Sequence, residues 1–200
     1  MPEVHRASGA PRRPVYLVLA LLAMWLVGMN QAAEGYIAIR AIHDPLSVLP
    51  SSVSGEVMVQ AFVNAMGAHA RLNLPIGIAQ LLLGAGLMLV AMKALIARRV
   101  SLSFALQMLL ANGLLLAVSY ALRVPVRGAI VDQVVAGGLG PPPSGVSAEE
   151  FARVARVQLW WSFRIALGLE LATAALSAFA LTRRAARALL APTEPSRGES

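Results

Sequence analysis

The chain has 200 residues, 58% of them apolar and only 14% charged, with a formal net charge of +7 and no cysteine. Soluble domains run at about 45–50% apolar and 25% charged, so an ordinary soluble core is excluded, as are a disordered chain and a disulfide-stapled module. Without cysteine there is no Cys-ligated zinc, no iron–sulfur cluster and no thiol nucleophile.

The first apolar window runs from Pro14 to Ala33, between Arg13 and Glu34. Two readings of it compete. Arg12-Arg13, an apolar stretch and Gln31-Ala32-Ala33 fit a cleaved signal peptide, whereas the length of the run and the poor −3 residue Gln31 favour a retained anchor. Nothing but Gly35 breaks a helix between Ala33 and His43, so this span projects outward as far as Asp44-Pro45. After Pro50-Ser51-Ser52, Ser54 and Glu56 open a second helical stretch. Glu56, Gln60 and Asn64 recur there opposite Val59, Phe62, Val63 and Met66. That pattern predicts an amphipathic helix on the outer membrane face.

The second window, Leu72 to Met92, and the third, Val100 to Leu122, flank a tight basic turn with Lys93, Arg98 and Arg99. Residues 123–156 read as a second outer loop, with an irregular Gly137–Gly145 linker. Ser147 and Glu150 then form a capping box. It starts a helix that runs through Trp160 into the fourth window, Val157 to Thr182, which only Arg164 and Glu170 interrupt. The tail 192–200 is polar and expected to be disordered.

A hydrocarbon core of about 30 Å needs roughly 20 helical residues, and the windows lack the alternation of a barrel. The expected fold is therefore an all-α integral membrane protein. It is a four-helix transmembrane bundle with spans near 14–33, 72–96, 101–122 and 157–182, two long, partly helical extracytoplasmic loops (34–71 and 123–156) and a basic tail, 1–13. One side receives Arg6, Arg12, Arg13, Lys93, Arg98, Arg99, Arg183, Arg184, Arg187 and Arg197. The other receives six arginines over much longer loops, balanced by acids. Both termini are thus expected in the cytoplasm of a bacterial cell with the protein in its inner membrane. The basic residues sit at span edges, which also argues against a nucleic-acid surface. A shift of 85 residues lays one half on the other, with Arg98-Arg99 on Arg183-Arg184 and Gly28 on Gly113. Duplication of a two-span unit competes here with chance matching of apolar runs.

Heptad-spaced rows suggest the packed faces: Tyr16, Ala23 and Asn30; Gly77, Gly84 and Ala91 with Gln80; Ala105, Asn112 and Ser119; and Phe163, Ala166, Glu170, Thr173 and Ser177. Depth counting places Asn112 and Glu170 near the midplane, with Asn30, Gln80 and Arg164 about two turns nearer the outside. These five residues form a candidate intramembrane polar layer. A charge at helix centre costs roughly 2.5–3.5 kcal/mol. Glu170 lowers that cost by protonating or by pairing with Asn112, and Arg164 by snorkelling outward.

Catalytic chemistry finds no support. No phosphate loop, nucleophile elbow or H-E-x-x-H motif occurs, and His5, His43 and His69 lack ligand spacing. The expectation is a non-enzymatic interaction or scaffolding component, with no cofactor and no metal, whose partners are the bilayer and a membrane or periplasmic protein or a second copy. The alternative is a small transporter or proton-linked channel using Glu170 and Asn112. A polar cavity reaching Glu170 favours transport, and a dry seam favours scaffolding.

Overall fold

The computed structural model describes residues 14–48, 56–97, 100–137 and 140–184. The basic tail 1–13, the Pro50–Ser54 stretch, the Arg98-Arg99 pair and the tail 192–200 lie outside the described residues. The regular elements among the described residues are all helical: α1 (Val15–His43), a 3-10 turn (Pro45–Ser47), α2 (Glu56–Ala68), α3 (Ala70–Ala97), α4 (Leu102–Leu122), α5 (Val124–Gly137) and α6 (Ala148–Thr182). Four of them, α1, α3, α4 and α6, are long and apolar enough to cross a membrane.

The sequence accounts for most of these ends. α1 has 29 residues, about 43 Å at 1.5 Å per residue, well over the ~30 Å hydrocarbon core. It continues through Glu34 until Asp44, whose amide closes the last turn on the Arg40 carbonyl at 2.8 Å. Pro45, which has no amide hydrogen to donate, then opens the 3-10 turn. α6 begins at Ser147, whose hydroxyl accepts from the Glu150 amide at 3.2 Å. Glu149 and Glu150 in its first turn complement the positive end of the helix dipole.

α5 adds to the sequence reading, which took 123–156 as a partly helical outer loop and assigned no element within 123–137. Valines fill it, and β-branched residues have modest helix propensity. Tertiary burial overrides that: Val126, Ile130 and Val134 form one apolar cluster with Ala61, Val63, Ala65 and Met66 of α2 and with Ala38 and Ala41 of α1. The face of α2 opposite this cluster is not simply solvated, because Asn64 donates to Gln133 of α5 at 3.4 Å.

α1 packs chiefly on α3, and also on α6, while α4 packs on α3 and α6. The α1–α3 contact is backbone to backbone. A Cβ at Gly35 would lie 2.4 Å from the Gly77 carbonyl oxygen, and one at Gly84 would lie 2.6 Å from the Gly28 carbonyl oxygen. Small residues permit such approach between helices in lipid. The α3 row Gly77, Gly84 and Ala91 is therefore inward, and so is the α4 row Ala105, Asn112 and Ser119. The α1 row requires correction. Asn30 is exposed and Tyr16 is 37% exposed, whereas Leu17, Leu21, Met24, Gly28, Gln31 and Gly35 are buried. In lipid every face of a span is apolar, so hydrophobicity does not mark the inward one. The glycines mark it, seven apart on both helices. A second apolar cluster, including Leu17, Leu21, Leu87, Ala91, Leu109 and Leu181, closes the end of the structure opposite α2 and α5. Polar residues collect between the two clusters.

Candidate functional site

α1 brings Asn30 and Glu34 onto one face, since residues four apart are neighbours on a helix. The Asn30 side-chain amide donates to Glu34 Oε1 at 3.3 Å and to Glu170 Oε1 of α6. Glu34 Oε2 accepts from Gln80 Nε2 of α3 at 3.2 Å. Three spans thus meet through two carboxylates and two amides, and a single amide nitrogen is shared between the carboxylates.

A cavity of about 600 Å³ reaches this group and is lined by Glu34, Gln80, Ser119, Arg123 and Glu170. Its remaining walls are mostly apolar, with Met58 and Phe62 of α2, Ile130 of α5 and Phe163 and Ala166 of α6 among them. Pockets for small organic ligands occupy roughly 300–1,000 Å³ and combine apolar walls with a few polar groups. This one has both attributes.

Two arginines stand where α4 gives way to α5. Arg123 donates through Nε to Asn73 Oδ1 at 3.1 Å, and the fully buried Asn73 also donates to the Met66 carbonyl at 3.3 Å. Arg127 donates to the Tyr120 carbonyl and stacks 3.7 Å from the centre of the Tyr120 ring. Burial lowers both guanidinium pKa values from their ordinary range. The charge of Glu34 raises that of Arg123 again, and the neighbouring Arg127 pushes it down. Guanidinium remains protonated regardless. Arg123 Nη2, Arg127 Nε and Gln80 Oε1 are buried and have no hydrogen-bond partner among the described residues.

The five layer residues divide. Asn30, Gln80 and Glu170 come together as described. Asn112 does not pair with Glu170: it is buried, and both its amide atoms lack a partner among the described residues, as does the hydroxyl of Ser177. Equal depth places Asn112 and Glu170 at one level, but the azimuth of α4 turns Asn112 inward while Asn30 reaches Glu170 from α1. Arg164 also leaves the layer. Its guanidinium lies 5.4 Å from the Trp161 ring centre, one turn toward the α2/α5 side. Glu34, Arg123 and Arg127 are additions. Glu34 was readable from the unbroken α1, where it follows Asn30 by one turn. Arg123 and Arg127 needed α5, whose helical course the sequence does not announce.

Among the described residues no group of three or more His, Cys, Asp or Glu side chains is placed to hold a metal ion. The chain matches no protein-family model, no curated protein and no solved structure.

Proposed function

We propose that this chain is a small carrier for an amphipathic solute in a bacterial inner membrane, with both termini cytoplasmic and the four spans forming a bundle. The observation that carries this reading is the cavity that ends on Glu34 and Glu170. Its apolar walls suit the body of an organic solute, and its paired carboxylates can exchange a proton or a cation. Ionisable groups within spans mark ion and substrate pathways by default. No acid–base pair with an activated nucleophile accompanies them, so the proposed role is non-enzymatic. On this reading α2 and α5 belong to the extracytoplasmic segments and close the outer side of the cavity.

Scaffolding needs no cavity at an intramembrane carboxylate, and the test separates the two readings. The chain lacks cysteine, so single cysteines report cleanly. Ala166 is exposed and lines the cavity, while Ser177, two turns beyond Glu170 on α6, is buried. A carrier must expose its centre to each side in turn. Ala166→Cys should react with an impermeant maleimide from outside, and Ser177→Cys from the cytoplasmic side in inverted vesicles. Glu170→Gln should shift the ratio of the two rates severalfold. A Ser177→Cys that stays inert from both sides, with and without Glu170→Gln, refutes the carrier in favour of a scaffold.

A further inference from the structure

A second cleft of about 600 Å³ lies on the α5–α6 face, lined by Tyr120, Arg127, Arg156, Trp160, Trp161 and Arg164. Three arginines line it and no carboxylate does. Asp132 offsets part of this charge from its edge, paired with Arg156 at 2.9 Å. Arg164, exposed, stacks on Trp161. Arg127, 7% exposed, also lies 6.0 Å from the Trp160 ring centre, and its buried Nε has no partner among the described residues. An unpaired donor on a buried guanidinium leaves a desolvation cost that an anion relieves.

Depth identifies the anion. Glu170 sits near the middle of the fourth span, and Trp160 is ten residues away, about 15 Å along the helix, or half of a 30 Å core. Arg164, six residues from Glu170, reaches the same level by turning its side chain up over Trp161, as long basic side chains do near span ends. Below them α6 presents Ile165 and Leu169, exposed by 56% and 64%. The cleft is thus positive at headgroup depth, edged by tryptophan, and continuous with an apolar helix face that suits acyl chains. Arginine guanidinium matches phosphate oxygens in charge and hydrogen-bond geometry, so a cleft of this kind suits an anionic headgroup.

We propose that this cleft binds an anionic phospholipid, its phosphate accepting from Arg127 and Arg164 and its acyl chains lying along Ile165 and Leu169. The site stands whether or not the neighbouring cavity carries a solute. The test uses the full chain in nanodiscs of phosphatidylcholine doped with phosphatidylglycerol of the same acyl chains, with lipid retention read by native mass spectrometry. Wild type should retain phosphatidylglycerol selectively. Each cation near an anionic headgroup is worth about fivefold in affinity. Arg164→Gln should therefore cut the preference about fivefold, Arg156→Gln by less because Asp132 already offsets its charge, and the double variant should cut it furthest. Both side chains are exposed, so the fold is retained. Arg71→Gln, an exposed arginine away from the cleft, should leave the preference unchanged. Equal loss in Arg71→Gln, or full preference in the double variant, overturns the site. Displacement of the retained lipid by millimolar inorganic phosphate overturns the lipid as occupant and leaves a site for a free anion.

Discussion

Gly35→Ala is the sharpest probe of how α1 and α3 hold the site. The added carbon would stand 2.4 Å from the Gly77 carbonyl oxygen and 2.5 Å from the Leu81 amide nitrogen, where ordinary contact begins at 3.4 Å. Both obstacles are backbone, so no rotamer relieves them, and the helices must part by about 1 Å locally (the contact deficit, 3.4 minus 2.4). Overpacking of this kind costs about 1–3 kcal/mol, and backbone obstacles put it at the upper end. The same displacement stretches the Gln80–Glu34 hydrogen bond, now 3.2 Å. Interhelical bonds of that kind average about 0.6 kcal/mol. Alanine recovers up to about 1 kcal/mol of helix propensity, but little of it counts against a detergent-unfolded state that stays helical. The expected net loss is about 2–3 kcal/mol in dodecyl sulfate titration of the purified protein. Gly113→Ala is the control, because its nearest neighbour is Leu171 Cδ2 at 4.0 Å, and it should stay within about 0.5 kcal/mol of wild type. If Gly35→Ala costs no more than Gly113→Ala, the close α1–α3 seam is wrong.

Two further outcomes check the frame around the cavity. Asn73→Ala removes the acceptor of Arg123 Nε, leaving a second unpaired nitrogen on a guanidinium whose Nη2 already lacks a partner. Hydrogen bonds to charged groups are worth about 1.5–3 kcal/mol, so the same titration should show a loss near 2 kcal/mol, and an unchanged midpoint would remove Asn73 as the anchor of Arg123. For the proposed orientation, single cysteines at Ser52 and Ser144 should react with impermeant maleimide on intact inner membranes. One at Ser101 should react only after disruption, and surface labelling at Ser101 inverts the topology.

Periodicity and charge were enough to read the four long apolar helices, because ~20 uncharged residues in a row have few fates other than lipid. Rotation of each helix was harder to read. In α1 the sequence suggests the row Tyr16, Ala23 and Asn30, whereas Leu17, Leu21 and Gly28 are the buried ones: lipid and protein interior are equally apolar. The glycine spacing resolves it: Gly28 and Gly35 on α1 answer Gly84 and Gly77 on the antiparallel α3. The site was half readable for the same reason. Cutting the first window at Glu34 treated a charge as a boundary, although α1 carries it one turn beyond Asn30 as part of the same polar face. Pairing Asn112 with Glu170 used depth alone, and depth does not fix azimuth. α5 was hidden because its helicity comes from packing on α2 rather than from its own valines.

The cavity has unequal walls, and the inequality bears on how a carrier would work. α1 and α3 interlock through backbone atoms at distances that leave no room for sliding, so Glu34 and Gln80 ride on a rigid pair. α6 is held differently. Only 17% of its most apolar window is buried, against 39% in α1 and in α3. Its polar links to α1 run from Glu170 to Asn30 and Gln31, a kind of contact worth about the thermal energy each in a membrane. In the proposed carrier, α6 would part from α1 at this polar level, while its Ala174 and Leu181 stay packed with Leu17 and Leu21 of α1 and the glycine seam is undisturbed. The carboxylate on that wall, Glu170, would then lose and regain its shared donor, while Glu34 keeps the amide of Gln80 throughout. In the proposed carrier, exchange of a proton or a cation would fall to Glu170 and positioning to Glu34. For that reason the accessibility reporters belong on α6, at Ala166 and Ser177, and a tether between α1 and α3 would report nothing.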